Sequence, residues 1–208
     1  MNKHEALQVI VYCAIEYEKN LANKNLLFLS TINNRFDYFE AQFIRSNYHH
    51  LTGTILNDHM TPRLFYQRCL KNQLSIHDFK IKDDGTTILK LTVLPKLMNI
   101  YTNAKMIGDF NGSKPKLYVE KLTGGTAACI GFTKSGNFFV PVTVLKEDMR
   151  ELVVNQQRVL AILSKSIQDE RYNILNYMAK GFIGIEEQKL PTAILEKFDK
   201  ENIQGLFI

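Results

Sequence analysis

Apolar positions between residues 4 and about 22 recur at spacings of three and four: Leu7, Ile10, Val11, Ala14, Ile15 and Leu21. Glu16, Lys19 and Asn20 fall on the other side, so the pattern predicts an amphipathic first helix ended near residues 23–25. Leu26 to Ser30 is a short apolar run and reads as a strand. From Arg35 to Ile44 the period changes to two. Phe39, Ala41 and Phe43 share one side, opposite Tyr38, Glu40 and Gln42, which predicts a strand. Arg45-Ser46-Asn47 reads as a turn, and Tyr48 to Thr52 as a second extended piece. In that geometry Tyr48, His50 and Thr52 share one face, and His49 and Leu51 the other.

Thr61-Pro62 carries a helix-start signal, a capping hydroxyl followed by proline at the first helical position, and predicts a helix to about Leu70. Thr86 to about Asn103 is dense in apolar residues and reads as a long buried helix, kinked or bounded at Pro95. From Lys105 onward the pattern is one of strands. Met106–Phe110, Leu117–Leu122, Ala127–Thr133 and Phe138–Val144 are separated by Asn111-Gly112, Gly124-Gly125 and Ser135-Gly136-Asn137, which are turn signals. Arg158 to Ser164 reads as a further strand. Pro191-Thr192 starts a last helical turn, and Gln204 to Ile208 is an apolar tail. The expected class is α+β, with N-terminal and central helices packed on an antiparallel sheet. One domain is expected over residues 1–208: helix-rich over 1–104, sheet over 105–185, and a tail over 186–208.

Composition narrows the picture little. Of 208 residues, 45% are hydrophobic and 23% charged, which suits a packed globular chain rather than a disordered one. The net charge of +5 is compatible with a polyanionic partner such as RNA. Cys13, Cys69 and Cys129 are widely spaced and form no CxxC pair, so buried reduced thiols are expected rather than a structural zinc site. The N-terminus does not read as a signal peptide, and no apolar run reaches the roughly 20 residues of a membrane helix. A cytoplasmic protein without membrane association is expected.

Tyr48-His49-His50-Leu51-Thr52-Gly53 is the segment richest in proton-transfer chemistry. RNA cleavage without a metal needs a base for the ribose 2′-hydroxyl, an acid for the departing 5′-oxygen, and a donor or cation at the phosphate. His50 is the first candidate for proton transfer, and Gly53 lets backbone and phosphate approach closely. The second proton carrier stays open among His59, His77 and a lysine. A metal site built from His49, His50, His59 and Asp58 matches no zinc spacing, and neither a metal nor a cofactor is expected. Thr143 sits in a strand that reads as central, where a hydroxyl also commonly bonds to backbone. Ser164-Lys165-Ser166 closes a strand with a cation. The expected substrate contacts are Tyr48 and Tyr66, which could stack bases, and the cations Lys116, Lys134 and Arg158. No P-loop, GxGxxG or HExxH is present.

Phe39 to Phe43 followed by Tyr48-His49-His50-Leu51-Thr52-Gly53 resembles the strand and "aromatic-x-His-Leu-Thr-Gly" signature of a phage-encoded nuclease-like family. That family, the fourth of its type, belongs to the superfamily uniting barnase, EndoU, the tRNase colicins and RelE. Phe65-Tyr66, Leu70 to Leu74, Phe138-Phe139-Val140-Pro141-Val142-Thr143 and Arg158 to Lys165 continue the likeness, which covers about residues 35–180. The resemblance implies helices against a curved antiparallel sheet and metal-independent RNA cleavage. It gives His50 the proton-transfer role and puts Thr52, Thr143 and Lys165 near the phosphate. His49 stands where that pattern has an apolar residue. The implied function is a phage or mobile-element RNase-like protein, forming a cyclic phosphate by 2′-hydroxyl attack. The alternative is a catalytically inactive nuclease fold that binds RNA or inhibits a host or defence protein. A third reading has Leu206-Phe207-Ile208 docking a partner.

Overall fold

A computed structural model describes residues 1–112 and 117–208. Helix α1 (Lys3–Asn20) begins at Asn2, whose side chain accepts from the Glu5 amide while Glu5 reaches back to the Asn2 amide. That reciprocal pair is a capping box and satisfies two of the helix's orphan donors. Its buried positions are Ala6, Ile10, Cys13, Ala14, Tyr17 and, contrary to its expected place on the polar side, Asn20, whereas Ile15 is 50% exposed. The inward face is therefore rotated from the one the large aliphatics predict. Tyr17, with its hydroxyl donated to the Ile44 carbonyl at 2.9 Å, takes the central place instead.

Strands β1 (Lys24–Ile32) and β2 (Arg35–Phe43) form an antiparallel hairpin, and β2 buries Phe39, Ala41 and Phe43 as its alternation predicts. After α2 (Tyr48–Thr52), a two-residue ladder joins β3 (Ile55–Leu56) to β4 (Phe79–Lys80) around α3 (Pro62–Leu70), which starts at the predicted Thr61 cap. The long apolar segment is α4 (Thr86–Leu97), ended two residues after Pro95 removes a backbone donor, followed by the single turn α5 (Ile100–Asn103). Then come β5 (Met106–Phe110), β6 (Lys121–Gly124), β7 (Cys129–Ser135), β8 (Phe138–Leu145), α6 (Met149–Leu152), β9 (Val153–Arg158), β10 (Ala161–Ser166), β11 (Ile174–Met178) and α7 (Thr192–Leu195). The run from Arg158 to Ser164 is thus not one strand. β9 ends at Arg158, and the chain turns through Val159 and Leu160 into β10.

Among the described residues these strands form a nine-stranded sheet in the order β11-β10-β1-β2-β8-β7-β6-β5-β9. Every neighbouring pair is antiparallel except β2 and β8, which meet in parallel at Ala41 and Phe139. The class is α+β, with the sheet drawing strands from both halves of the chain. Phe28, Phe39, Phe43, Phe132 and Val144 face the helices α1 to α4 and form the main core. On the opposite face Leu27, Leu29, Ala161 and Leu163 pack against Ile185, Ile194, Phe198 and Leu206 of the C-terminal segment. Leu206 is fully buried there and Phe207 bridges to Ile185, so this part of the apolar tail packs on the chain's own sheet, while Ile208 is exposed. Leu122, Cys129 and Leu145 pack with Met149 and Leu152 of α6 in a third cluster. No helix of the described residues is long and apolar enough to cross a membrane.

Candidate functional site

The segment Tyr48–Thr52 is helical, not extended. Its inward positions are Tyr48, Leu51 and Thr52, an i, i+3, i+4 set, and Gly53 ends it in the left-handed conformation at φ 69°. The shared face expected for Tyr48, His50 and Thr52 is corrected accordingly. On one turn of helix, Tyr48 and Thr52 point into the core and His50 points out to solvent. Tyr48 is fully buried and donates its hydroxyl to the Ile10 carbonyl at 2.5 Å. Tyr66 is 1% exposed and donates to Glu18 at 2.8 Å. Both tyrosines pack with Tyr17, with ring centroids 5.3 and 5.9 Å from it. In this conformation neither offers a face on which a base could stack, because aromatic area is worth most in the core.

Thr52 is fully buried, and its hydroxyl donates to the His49 carbonyl at 2.8 Å while standing 2.8 Å from the Thr54 hydroxyl. Its bonding capacity is spent holding the turn, which leaves none for a phosphate. The Thr54 carbonyl lies 2.9 Å from His49 Nε2, and the His49 ring sits edge-on to Phe65. With Nε2–H donated, Nδ1 is an acceptor, buried and without a partner among the described residues. Burial lowers the His49 pKa, with the charges of His50, Lys90 and Lys82 pushing the same way and the Thr54 carbonyl opposing. His50 lies beside it, ring to ring at 5.6 Å, exposed.

Helix α2 packs on α4 and on the end of β8. Thr87 locks the junction: its hydroxyl donates to the Gly53 carbonyl at 2.7 Å and accepts the Lys82 amide at 3.1 Å. One turn further along α4, the stem of Lys90 crosses Gly53. The Lys90 amine is pushed down to about 8, chiefly by burial, with Lys82 adding to the effect and Asp84 opposing it. It makes no hydrogen bond or ion pair among the described residues. Lys90 lines a cavity of about 250 Å³ together with Lys82, Asp84, Thr143, Lys146 and Glu147. No motif or spacing along the chain singles out Lys90. It sits in an apolar helical run, and only the packing of α4 across Gly53 brings it to this cleft.

The other expected cations stand apart. Thr143 is 6% exposed on β8 and within the cleft. Lys165 is on β10, separated from β8 by β1 and β2, three strand spacings or about 14 Å along the sheet. Its amine donates to the Glu170 carbonyl at 2.7 Å and lies over Tyr172. Arg158 donates to the Lys180 carbonyl at 2.6 Å on β9, and Lys134 is exposed near the tip of the β7–β8 hairpin. Lys114 and Lys116 lie outside the described residues. Lys165, Arg158 and Lys134 thus do not converge on His50. The three cysteines are buried and free, with burial pushing each thiol up to about 12. Among the described residues, no three His, Cys, Asp or Glu side chains gather as metal ligands, His49, His50, His59 and Asp58 included.

A family model described as phage-Barnase-EndoU-ColicinE5/D-RelE like nuclease4 matches residues 9–181. No curated protein and no solved structure matches the chain.

Proposed function

The chain belongs to the phage-Barnase-EndoU-ColicinE5/D-RelE like nuclease4 family, and on that premise we propose that it cleaves RNA without a metal, by 2′-hydroxyl attack to a cyclic phosphate. The observation that carries this reading is the junction of α2, α4 and β8. An exposed histidine stands there on the single turn α2, which packs on α4 and β8, and the cleft at those two elements is lined by Lys82, Lys90 and Lys146. His50 is the proton carrier. A base at the site takes the 2′-hydroxyl proton as the 2′-oxygen bonds to phosphorus. The bond from phosphorus to the 5′-oxygen then breaks, and that oxygen leaves with a proton from the acid. Thr143 lines the cleft and stands near the phosphate. Thr52 acts indirectly by holding the carbonyl of His49 and hence the turn that presents His50. A curved sheet, as in barnase-like nucleases, is supported by Ser30 of β1 donating to Gln157 of the end strand β9 at 2.5 Å.

The test is RNA cleavage with excess EDTA, with product ends identified by mass spectrometry. Wild type should give 2′,3′-cyclic phosphates, and His50→Ala should lower the rate roughly 10²- to 10⁴-fold, the usual worth of a positioned acid or base. Equal activity of the variant removes His50 from the chemistry. Cleavage that vanishes on chelation removes the metal-free mechanism. Tight RNA retention without any cleavage would make the protein a nuclease-fold binder.

A further inference from the structure

We infer that the cleft between α4 and the end of β8 is a phosphate-binding subsite whose central donor is the Lys90 amine. The inference deepens the nuclease reading, on which it rests for the source of the phosphate. Three observations carry it. First, cations reach the cleft from three separate stretches of chain: Lys82 before α4, Lys90 within it and Lys146 just past β8. Asp84 and Glu147 also line it, but Asp84 is already engaged. One of its oxygens accepts from both the amide and the hydroxyl of Thr86 at the start of α4. Second, the Lys90 amine is half-buried and has no partner among the described residues. An ammonium in that position has lost water and gained no protein acceptor, so an incoming anion supplies what is missing. Burial already pushes the amine down to about 8, and a bound phosphate reverses that shift. Third, the size suits the ligand. A volume of about 250 Å³ is below the roughly 300–1,000 Å³ of pockets for whole drug-sized molecules, and fits a phosphate with part of its sugar.

A path for the rest of a strand leads out of the same place. A neighbouring open groove is lined by Lys3, Ile55, Lys80 and Ile81, and shares Lys82 and Asp84 with the cleft. Asp83 completes its lining. The groove's three lysines offer the backbone of a continuing strand further phosphate contacts.

The experiment reads Lys90 directly. Pulsed amine labelling across pH, with peptide mass spectrometry, should half-modify Lys90 near pH 8, against about 10.4 for an ordinary lysine. Saturating inorganic phosphate should move that midpoint up by at least one pH unit. An RNA oligonucleotide with a 2′-O-methyl ribose at each position, which cannot be cleaved by 2′-hydroxyl attack, should protect Lys90 at least tenfold. Calorimetric phosphate affinity should fall at least tenfold in Lys90→Met, return within threefold of wild type in Lys90→Arg, and stay unchanged in Lys71→Ala, an exposed lysine at the end of α3 that lines neither the cleft nor the groove. Circular dichroism verifies the fold of each variant. Unaltered phosphate affinity in Lys90→Met, or no phosphate effect on the Lys90 midpoint, overturns the subsite. Protection by phosphate but not by the oligonucleotide makes the ligand free phosphate and overturns its link to RNA. A wild type that binds phosphate through Lys90 yet never cleaves RNA leaves the subsite standing and removes the nuclease reading.

Discussion

The stem of Lys90 lies in the space a side chain at position 53 would fill: a Cβ built on Gly53 stands 2.6 Å from Lys90 Cδ. Gly53 is also at φ 69°, the left-handed conformation that ends α2. Two demands therefore meet at one residue. The backbone needs the left-handed region, and the lysine needs the missing side chain. Gly53→Ala should cost about 1 kcal/mol from the backbone conformation alone, read by urea unfolding. The flexible lysine stem is free to swing away from the new methyl, so the sharper effect should fall on the amine. Its labelling midpoint should rise toward that of a solvated lysine.

Lys90 should also leave a signature in stability against pH. Its folded-state pKa is lowered to about 8 from 10.5, so between these values the unfolded chain binds more protons than the folded one. Stability due to this group therefore rises with pH across that window, and its penalty is fully present below pH 8. Lys90→Met should stabilise the fold at pH 7 by about 1 kcal/mol, discounted for the part of the amine that water still screens. That advantage should fade as the pH climbs past 8. Chemical unfolding of both proteins at several pH values checks the sign. A constant difference would mean that the amine is not desolvated.

Tyr48 separates a packing role from a binding role. Its hydroxyl bonds to the Ile10 carbonyl within the core, so Tyr48→Phe should lose about 1 kcal/mol and leave RNA affinity unchanged. A drop in affinity of tenfold or more in a stably folded Tyr48→Phe protein would contradict its burial.

The C-terminal segment is expected to behave as core. Leu206→Ala should destabilise the protein by about 2–5 kcal/mol, the range for emptying a buried leucine site. Thermal unfolding measures it. Were the tail a docking element for another protein, the loss would be negligible.

Much of the fold was legible because it rests on long periodic segments. The alternation of Phe39, Ala41 and Phe43 survives intact as the inward face of β2. The Thr61-Pro62 start survives as the cap of α3. Tyr48–Thr52 was not legible. In five residues, a strand's i, i+2, i+4 and a helix's i, i+3, i+4 share both ends and differ only at one internal position. The choice fell to Leu51, which the main core accepts alongside Tyr48. The inward face of α1 departs from its aliphatic pattern at Ile15 for a related reason. Tyr17 outweighs Ile15 because its ring meets Phe43, Tyr48 and Tyr66, partners that lie 26 residues or more along the chain.

By itself the sequence determined the α+β class, the helix starts, most of the strands and the likeness to a nuclease family, since these depend on local period, capping and motif. Tertiary structure alone decided which candidate side chains meet. It turned His50 away from Tyr48 and Thr52, buried Tyr48 and Tyr66, and held Lys165 three strands from Thr143. It also brought Lys90, some 40 residues beyond His50, across a glycine and into the cleft. The physical reason is that desolvation and proximity act through space. A lysine's ammonium becomes a stronger acid where the fold removes its water or sets another cation beside it, and no pattern along the chain records that.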